Sequence, residues 1–207
     1  MAAAQHYSQP IFRWFMKDVS RISYKCMSIT RDAAEKSKRK NKNIHRIENI
    51  MHRGMHFICE VKAAPAAAFY TLYRFMNDKR SNYCIAYDEN KKVIYHFCAH
   101  FFHRYHERLM LHINDAEHLM NHYLHQNGDF TIKTNKRKHG RFSTFTAKYA
   151  TGIGYGVFDS RDRIYYFRTF ISFSKMCIHK KIENNVELTA SETISLLSKK
   201  FLVNKKG

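Results

Sequence analysis

The stretch Tyr95-His-Phe-Cys-Ala-His-Phe-Phe-His-Arg-Tyr-His-Glu-Arg108 decides how the rest of the chain is read. Wound as an α-helix at about 100° per residue, it sorts its side chains into two faces. His96, His100, His103 and Glu107 fall in one narrow row with His106 beside it, while Phe97, Phe101, Phe102, Tyr105 and Leu109 gather opposite. Arg104 and Arg108 flank the boundary one turn apart. An amphipathic helix of this kind buries its aromatics and leaves imidazoles and guanidiniums wet. Groups that titrate near neutrality beside fixed positive charge suit general acid–base work on a phosphate. A merely solvated face, in a chain with 14 His, is the competing structural reading.

On the N-terminal side, Asn82–Tyr87, a turn at Asp88–Lys91 and Lys92–Tyr95 read as a hairpin delivering the chain into that helix. His56–Lys62 reads as a strand, Phe69–Met76 fits strand or helix, and Ala63–Ala68 is small and featureless. A helix is expected from Ser28 or Thr30 to about His52, stopped by Gly54, with the basic block Lys36–Lys42, which has no apolar anchor, as either its middle or a loop interrupting it. Pro10–Met16 is expected to dock as a short helix with Trp14 buried.

On the C-terminal side, Asn114 and Glu117 make a capping pair for a helix that stops at Asn127-Gly128. Phe130–Thr134, Arg141–Lys148, Gly152–Phe158 and Arg163–Ser172 are β-branched and aromatic, with turn signals between them, and should form an antiparallel meander. Ser191–Leu202 reads as a closing helix. The expected fold is α+β: N-terminal helices and a hairpin, then a four-stranded antiparallel sheet packed on helices, with a C-terminal helix. Residues 1–80 form a basic helical or extended region and 81–207 the catalytic region, in one compact unit.

The charge balance is 36 Lys+Arg against 17 Asp+Glu, a formal +19 with a pI near 9.8. Such an excess repels itself in a compact state and calls for a polyanionic counterpart, nucleic acid first and an anionic membrane surface second. Two basic clusters fit phosphate contact: Lys36, Lys38, Arg39, Lys40 and Lys42, and the hairpin tip Lys136, Arg137, Lys138 and Arg141. No apolar run reaches the roughly 18 residues of a membrane span, and no secretory signal opens the chain. The 5 Cys form no C-x-x-C pair and read as reduced thiols of a cytoplasmic protein. His100, His103 and Glu107 are metal-ligand types, but no H-E-x-x-H is present, so no metal is assigned. Gly152-x-Gly154-x-Gly156 lacks the Lys-Ser/Thr of a phosphate loop and instead leaves one strand face bare.

His100-Phe-Phe-His-Arg-Tyr-His-Glu-Arg108 resembles the H-x-x-x-R-x-x-x-R helix signature of small RelE-like toxin relatives, within the barnase–EndoU–colicin–RelE fold group. The matching positions are His100, Arg104 and Arg108, with Tyr105 and Glu107 between them, and the likeness covers roughly Tyr95 to Ser172. The resemblance implies a cofactor-free, metal-independent endoribonuclease of toxin or defence type, in which the ribose 2′-OH attacks the adjacent phosphate. His100 and His103 would be acid and base, with Glu107 as base or orienter. Arg104 and Arg108 would stabilise the phosphate, Arg168 and Thr169 would join them from the last strand, and Tyr166 would stack a base. The implied partners are RNA (tRNA or ribosome-bound mRNA) and an acidic antitoxin, with no membrane. The alternatives are a non-catalytic basic RNA- or DNA-binding module and a metal-dependent nuclease using the histidine row.

Overall fold

The computed structural model of the chain describes residues 2–78, 81–135 and 140–176. It opens on one long helix, α1 (Ala2–Lys40). Phe12, Phe15, Val19, Ile22, Cys26 and Ala33 recur every three or four residues and are all buried, so one stripe of the helix is committed to the core. Asp18 is turned inward as well and accepts from the Arg74 guanidinium at 2.9 Å, pinning the helix to the sheet. The helix ends where Asn41 adopts a positive φ of 46° and the buried Ser37 hydroxyl donates to the Lys42 carbonyl at 2.6 Å.

The N-terminal third of the chain departs from the helical expectations in two places. Pro10–Met16 is part of α1, and Trp14 is exposed. The helix expected to run to His52 stops at Lys40, and the chain continues as β1 (Ile44–His52). Ile44, Ile47 and Ile50 are spaced three apart, which imitates a helical stripe. In the strand, Ile44 and Ile50 face the core under α1 while Ile47 faces the other core. Gly54 is not a helix stop. Arg53 and Gly54 take φ values of 52° and 72°, the paired left-handed geometry of a two-residue hairpin turn into β2 (Met55–Ala64).

The meander continues through β3 (Ala67–Asp78), β4 (Ser81–Asp88) and β5 (Val93–Phe97). Two helices follow, α2 (Ala99–Arg108) and α3 (Ala116–Asn127). A second meander then runs through β6 (Thr131–Asn135), β7 (Phe142–Lys148), β8 (Gly152–Asp159) and β9 (Ile164–Ser172). The described strands form one nine-stranded sheet in the order β1-β2-β3-β4-β5-β9-β8-β7-β6. All its pairings are antiparallel except β5 with β9, which is parallel.

The fold is therefore α+β, but the expected four-stranded antiparallel sheet is one end of a nine-stranded mixed sheet, and one long helix replaces the N-terminal helices. The reason lies in β5. Val93, Ile94, Tyr95 and Phe97 are all buried, so both faces of the strand are covered, as in a strand from the middle of a sheet. The expected closing helix, Ser191–Leu202, lies outside the described residues.

The two sheet faces carry different cores. α1 covers Phe57, Cys59, Val61, Leu72, Ile85, Ile94 and Ile164 on one face. On the other, α2 and α3 cover an aromatic cluster in which Phe167 stacks on Phe97 at 4.4 Å, ringed by Phe101, Tyr123, Phe145 and Phe170. The glycines of β8 belong to this cluster. A Cβ on Gly154 would come within 2.9 Å of the Tyr149 ring and 3.2 Å of Phe101. On Gly156 it would lie 2.0 Å from the Tyr166 carbonyl. The face they leave bare is filled by core rings.

Candidate functional site

The α2 helix keeps the facing expected of it. Phe101, Phe102 and Tyr105 are buried, and His100, His103 and Glu107 are exposed. Cys98 caps it in extended conformation, and Met110 ends it at a φ of 51°. The α3 cap is Asp115 rather than Asn114, its carboxylate accepting from the His118 amide at 2.8 Å. Between the helices the Tyr105 hydroxyl accepts from Asn127 at 3.0 Å, and burial raises its pKa to about 12.

Part of the predicted site comes together on α2. Arg104 donates to Glu107 at 2.6 Å, and its Nε lies 3.4 Å from His100 Nε2. That contact with Arg104 holds the Glu107 carboxyl below its ordinary pKa. Arg108 is spent on the fold: its guanidinium donates to the Phe170 carbonyl, and Ser172 Oγ donates to the Arg108 carbonyl at 3.3 Å.

Other predicted members lie elsewhere. His96 is not on the helix. It sits in β5 among the rings of Phe12, Tyr83 and Tyr166, where burial drives its pKa down to about 4. Tyr166 packs there too, beneath α1. Thr169 pairs with Tyr155, while the neighbouring Gly154–Phe170 pair faces α2, so by strand alternation Thr169 faces away from the histidine row. Arg168 is exposed, and its carbonyl accepts from the Cys98 thiol at 3.4 Å. No group of side chains suited to a metal ion occurs among the described residues.

The basic predictions divide in a similar way. Lys36, Lys38, Arg39, Lys40 and Lys42 are all exposed at the C-terminal end of α1 and just beyond it. Arg141 is engaged by Asp159 at 2.7 Å and Asp162 at 2.6 Å, and it ties the entry to β7 to the β8–β9 turn. Lys136, Arg137 and Lys138 lie outside the described residues.

Compared with protein-family models, curated proteins and solved structures, the chain matches none.

Two constellations were missed in the sequence. The first is the outward face of α1. Trp14 is 71% and Tyr24 65% exposed, and they share that face with the exposed Arg13, Lys17, Arg21 and Arg31. Farther along, a groove of about 400 Å³ separates α1 from the alanine-rich β2–β3 hairpin, with Arg31 and Lys38 on its rim. The helical period of the buried residues was the signal. Once Phe12, Phe15, Val19 and Ile22 are set inward, Trp14 has to point out.

The second is a charge cluster around Glu60, which is 1% exposed. Its carboxylate accepts from the Tyr73 hydroxyl at 2.8 Å, meets His45 Nε2 at 2.9 Å and lies 3.4 Å from Lys62 Nζ, which also pairs with Asp129 at 2.6 Å. A Cβ on Gly128 would come within 2.4 Å of the Glu60 carboxylate, so a side chain where the α3–β6 connection passes over it would have to displace that buried group. Hydrogen bonding to Glu60 raises the His45 pKa above its ordinary 6.5. A raised folded-state pKa means that protonated His45 stabilises the fold fully below about pH 6.5, and the contribution is lost as pH rises through the higher folded value. Thermal stability measured from pH 6 to 9 is therefore expected to fall through that window. In a His45→Gln variant the fall should be shallower, and an unchanged slope would dismiss the linkage.

Proposed function

We propose that this chain is a nucleic-acid-binding protein that engages phosphate backbones through the outward face and C-terminal end of α1. The observation that carries the reading is where the charges sit. Asp18, Glu60, Asp88 and Asp159 are buried, while the cations of α1 from Arg13 to Lys40 are largely exposed. The exposed acids of that stretch are Asp32 and Glu35, so cations outnumber carboxylates on this surface, in line with the formal +19 of the chain. Such a surface binds polyanions by releasing their counterions, typically with non-specific dissociation constants of about 10⁻⁴–10⁻⁶ M at physiological salt. Among the described residues no helix is long and apolar enough to cross a membrane. Anisotropy of labelled RNA and DNA titrated with the purified chain tests the reading, and absence of binding at low salt would remove it.

RNA cleavage is the second reading, supported by the His100–Arg104–Glu107 contacts on the exposed face of α2. In the RelE-like form of this reading the protein is a cytoplasmic effector restrained by an acidic partner. Wild type and a His100→Ala/Arg104→Ala variant should be incubated with total RNA, with and without EDTA. The reading expects EDTA-resistant cleavage with 2′,3′-cyclic phosphate ends, reduced about a hundredfold or more in the variant. Undiminished cleavage by a folded variant would remove α2 from the chemistry. Cleavage abolished by EDTA would transfer it to a metal ion.

A further inference from the structure

We infer that the outward stripe of α1 is a stacking platform for single-stranded nucleic acid, an assignment that rests on the binding function proposed above. A helix that already buries Phe12, Phe15, Val19, Ile22 and Cys26 has no structural need of a tryptophan on its far side, yet Trp14 is 71% exposed. Tyr24, 65% exposed, follows ten positions later. At about 1.5 Å rise per residue the two rings stand roughly 15 Å apart along the axis, about four steps of a stacked strand. At about 100° per residue, Lys17, Arg21, Tyr24 and Arg31 all project within about 100° of Trp14, so rings and cations share one face.

Between Arg13 and Arg31 the single acidic side chain is Asp18, which is 6% exposed and bonded to Arg74 and Arg21. That carboxylate is turned inward and paired, and the exposed acids of the helix, Asp32 and Glu35, stand only beyond Arg31. Aromatic faces interleaved with cations are the arrangement that holds single strands with little regard to sequence, the rings taking bases and the cations tracking the backbone. A membrane-surface helix instead presents a continuous apolar face to the lipid. Here that face is occupied by the sheet, and Lys17 and Arg21 separate the outward rings.

The chain has 1 Trp, so tryptophan emission, excited selectively over tyrosine, reports on this position alone. The test titrates full-length protein with a 12-nucleotide oligouridylate, following Trp14 emission and, with a labelled oligonucleotide, anisotropy. Phosphatidylserine/phosphatidylcholine vesicles form a parallel arm. Saturable quenching is expected, with affinity lowered about tenfold or more in Trp14→Ala and in Tyr24→Ala. Affinity should be largely kept in Trp14→Phe, which retains a ring. Circular dichroism melts confirm folding, and the wild-type quenching stands independently of any variant.

Equal affinity in all variants, with unquenched Trp14, would overturn the platform while leaving nucleic-acid binding in place. No oligonucleotide binding by any protein at low salt would overturn the binding function and the platform with it. A blue-shifted Trp14 on vesicles without oligonucleotide binding would assign the stripe to an anionic bilayer and overturn both.

Discussion

Phe167→Ala is expected to lower the unfolding free energy by about 3–5 kcal/mol, the usual cost of truncating a fully buried phenylalanine. Phe167 is 0% exposed, stacks on Phe97 at 4.4 Å, and meets the edges of Phe145 at 4.8 Å and Phe101 at 5.6 Å. It is the ring through which β5, β7, β9 and α2 all touch, so little of the cavity can be refilled by one neighbour moving. Against a typical total of about 5–15 kcal/mol, such a loss leaves a large unfolded fraction on modest heating. Urea unfolding checks it. A midpoint shift no larger than that of Trp14→Ala, a surface control, would show that the aromatic cluster does not hold the two meanders together.

The second large effect is on binding. If about six phosphates of a single strand are neutralised by the α1 cations, the slope of log affinity against log salt is near −4. Raising salt from 50 to 200 mM should then weaken RNA binding roughly 300-fold. Reversing Lys36, Lys38 and Lys40 to Glu should flatten the slope and weaken binding of unrelated sequences alike, since backbone contacts do not read bases. A slope near zero would show that phosphates do not dominate the interaction. Salt-sensitive binding that the triple variant leaves untouched would show that they are met elsewhere than the end of α1.

Local pattern made much of this fold legible. The β4–β5 hairpin, the facing of α2, the span of α3 and the strands of the second meander follow from alternation, period and turn residues within a dozen positions of each other. The misreadings arose where the deciding partner is far away in sequence. Ile44–His52 has the spacing of a helix and becomes a strand because β2 offers it a hydrogen-bonding edge. His96 continues the histidine row on a helical wheel, but β5 extends as far as Phe97 because β9 pairs with it there. Hydrophobicity alone sets Trp14 inward, but the stripe of Phe12, Phe15 and Val19 already claims the buried face. Of the candidate site, the contact of His100, Arg104 and Glu107 is a consequence of helical spacing and was readable. The duty of Arg108 toward the Phe170 carbonyl and the turning away of Thr169 depend on β9 and were not.

The parallel seam between β5 and β9 also sets an order of events during synthesis. Cys98 and Arg168, joined across it, are 70 positions apart in the chain. At about 5–20 residues per second, β5 leaves the ribosome roughly 4 to 14 s before its partner exists. For that interval a strand apolar on both faces keeps one edge of unpaired amides and carbonyls, the kind of edge that recruits other chains. The first meander, with α1 laid across its back, is complete by then, and the open edge of Val93–Phe97 is the surface a nascent-chain chaperone would have to shield.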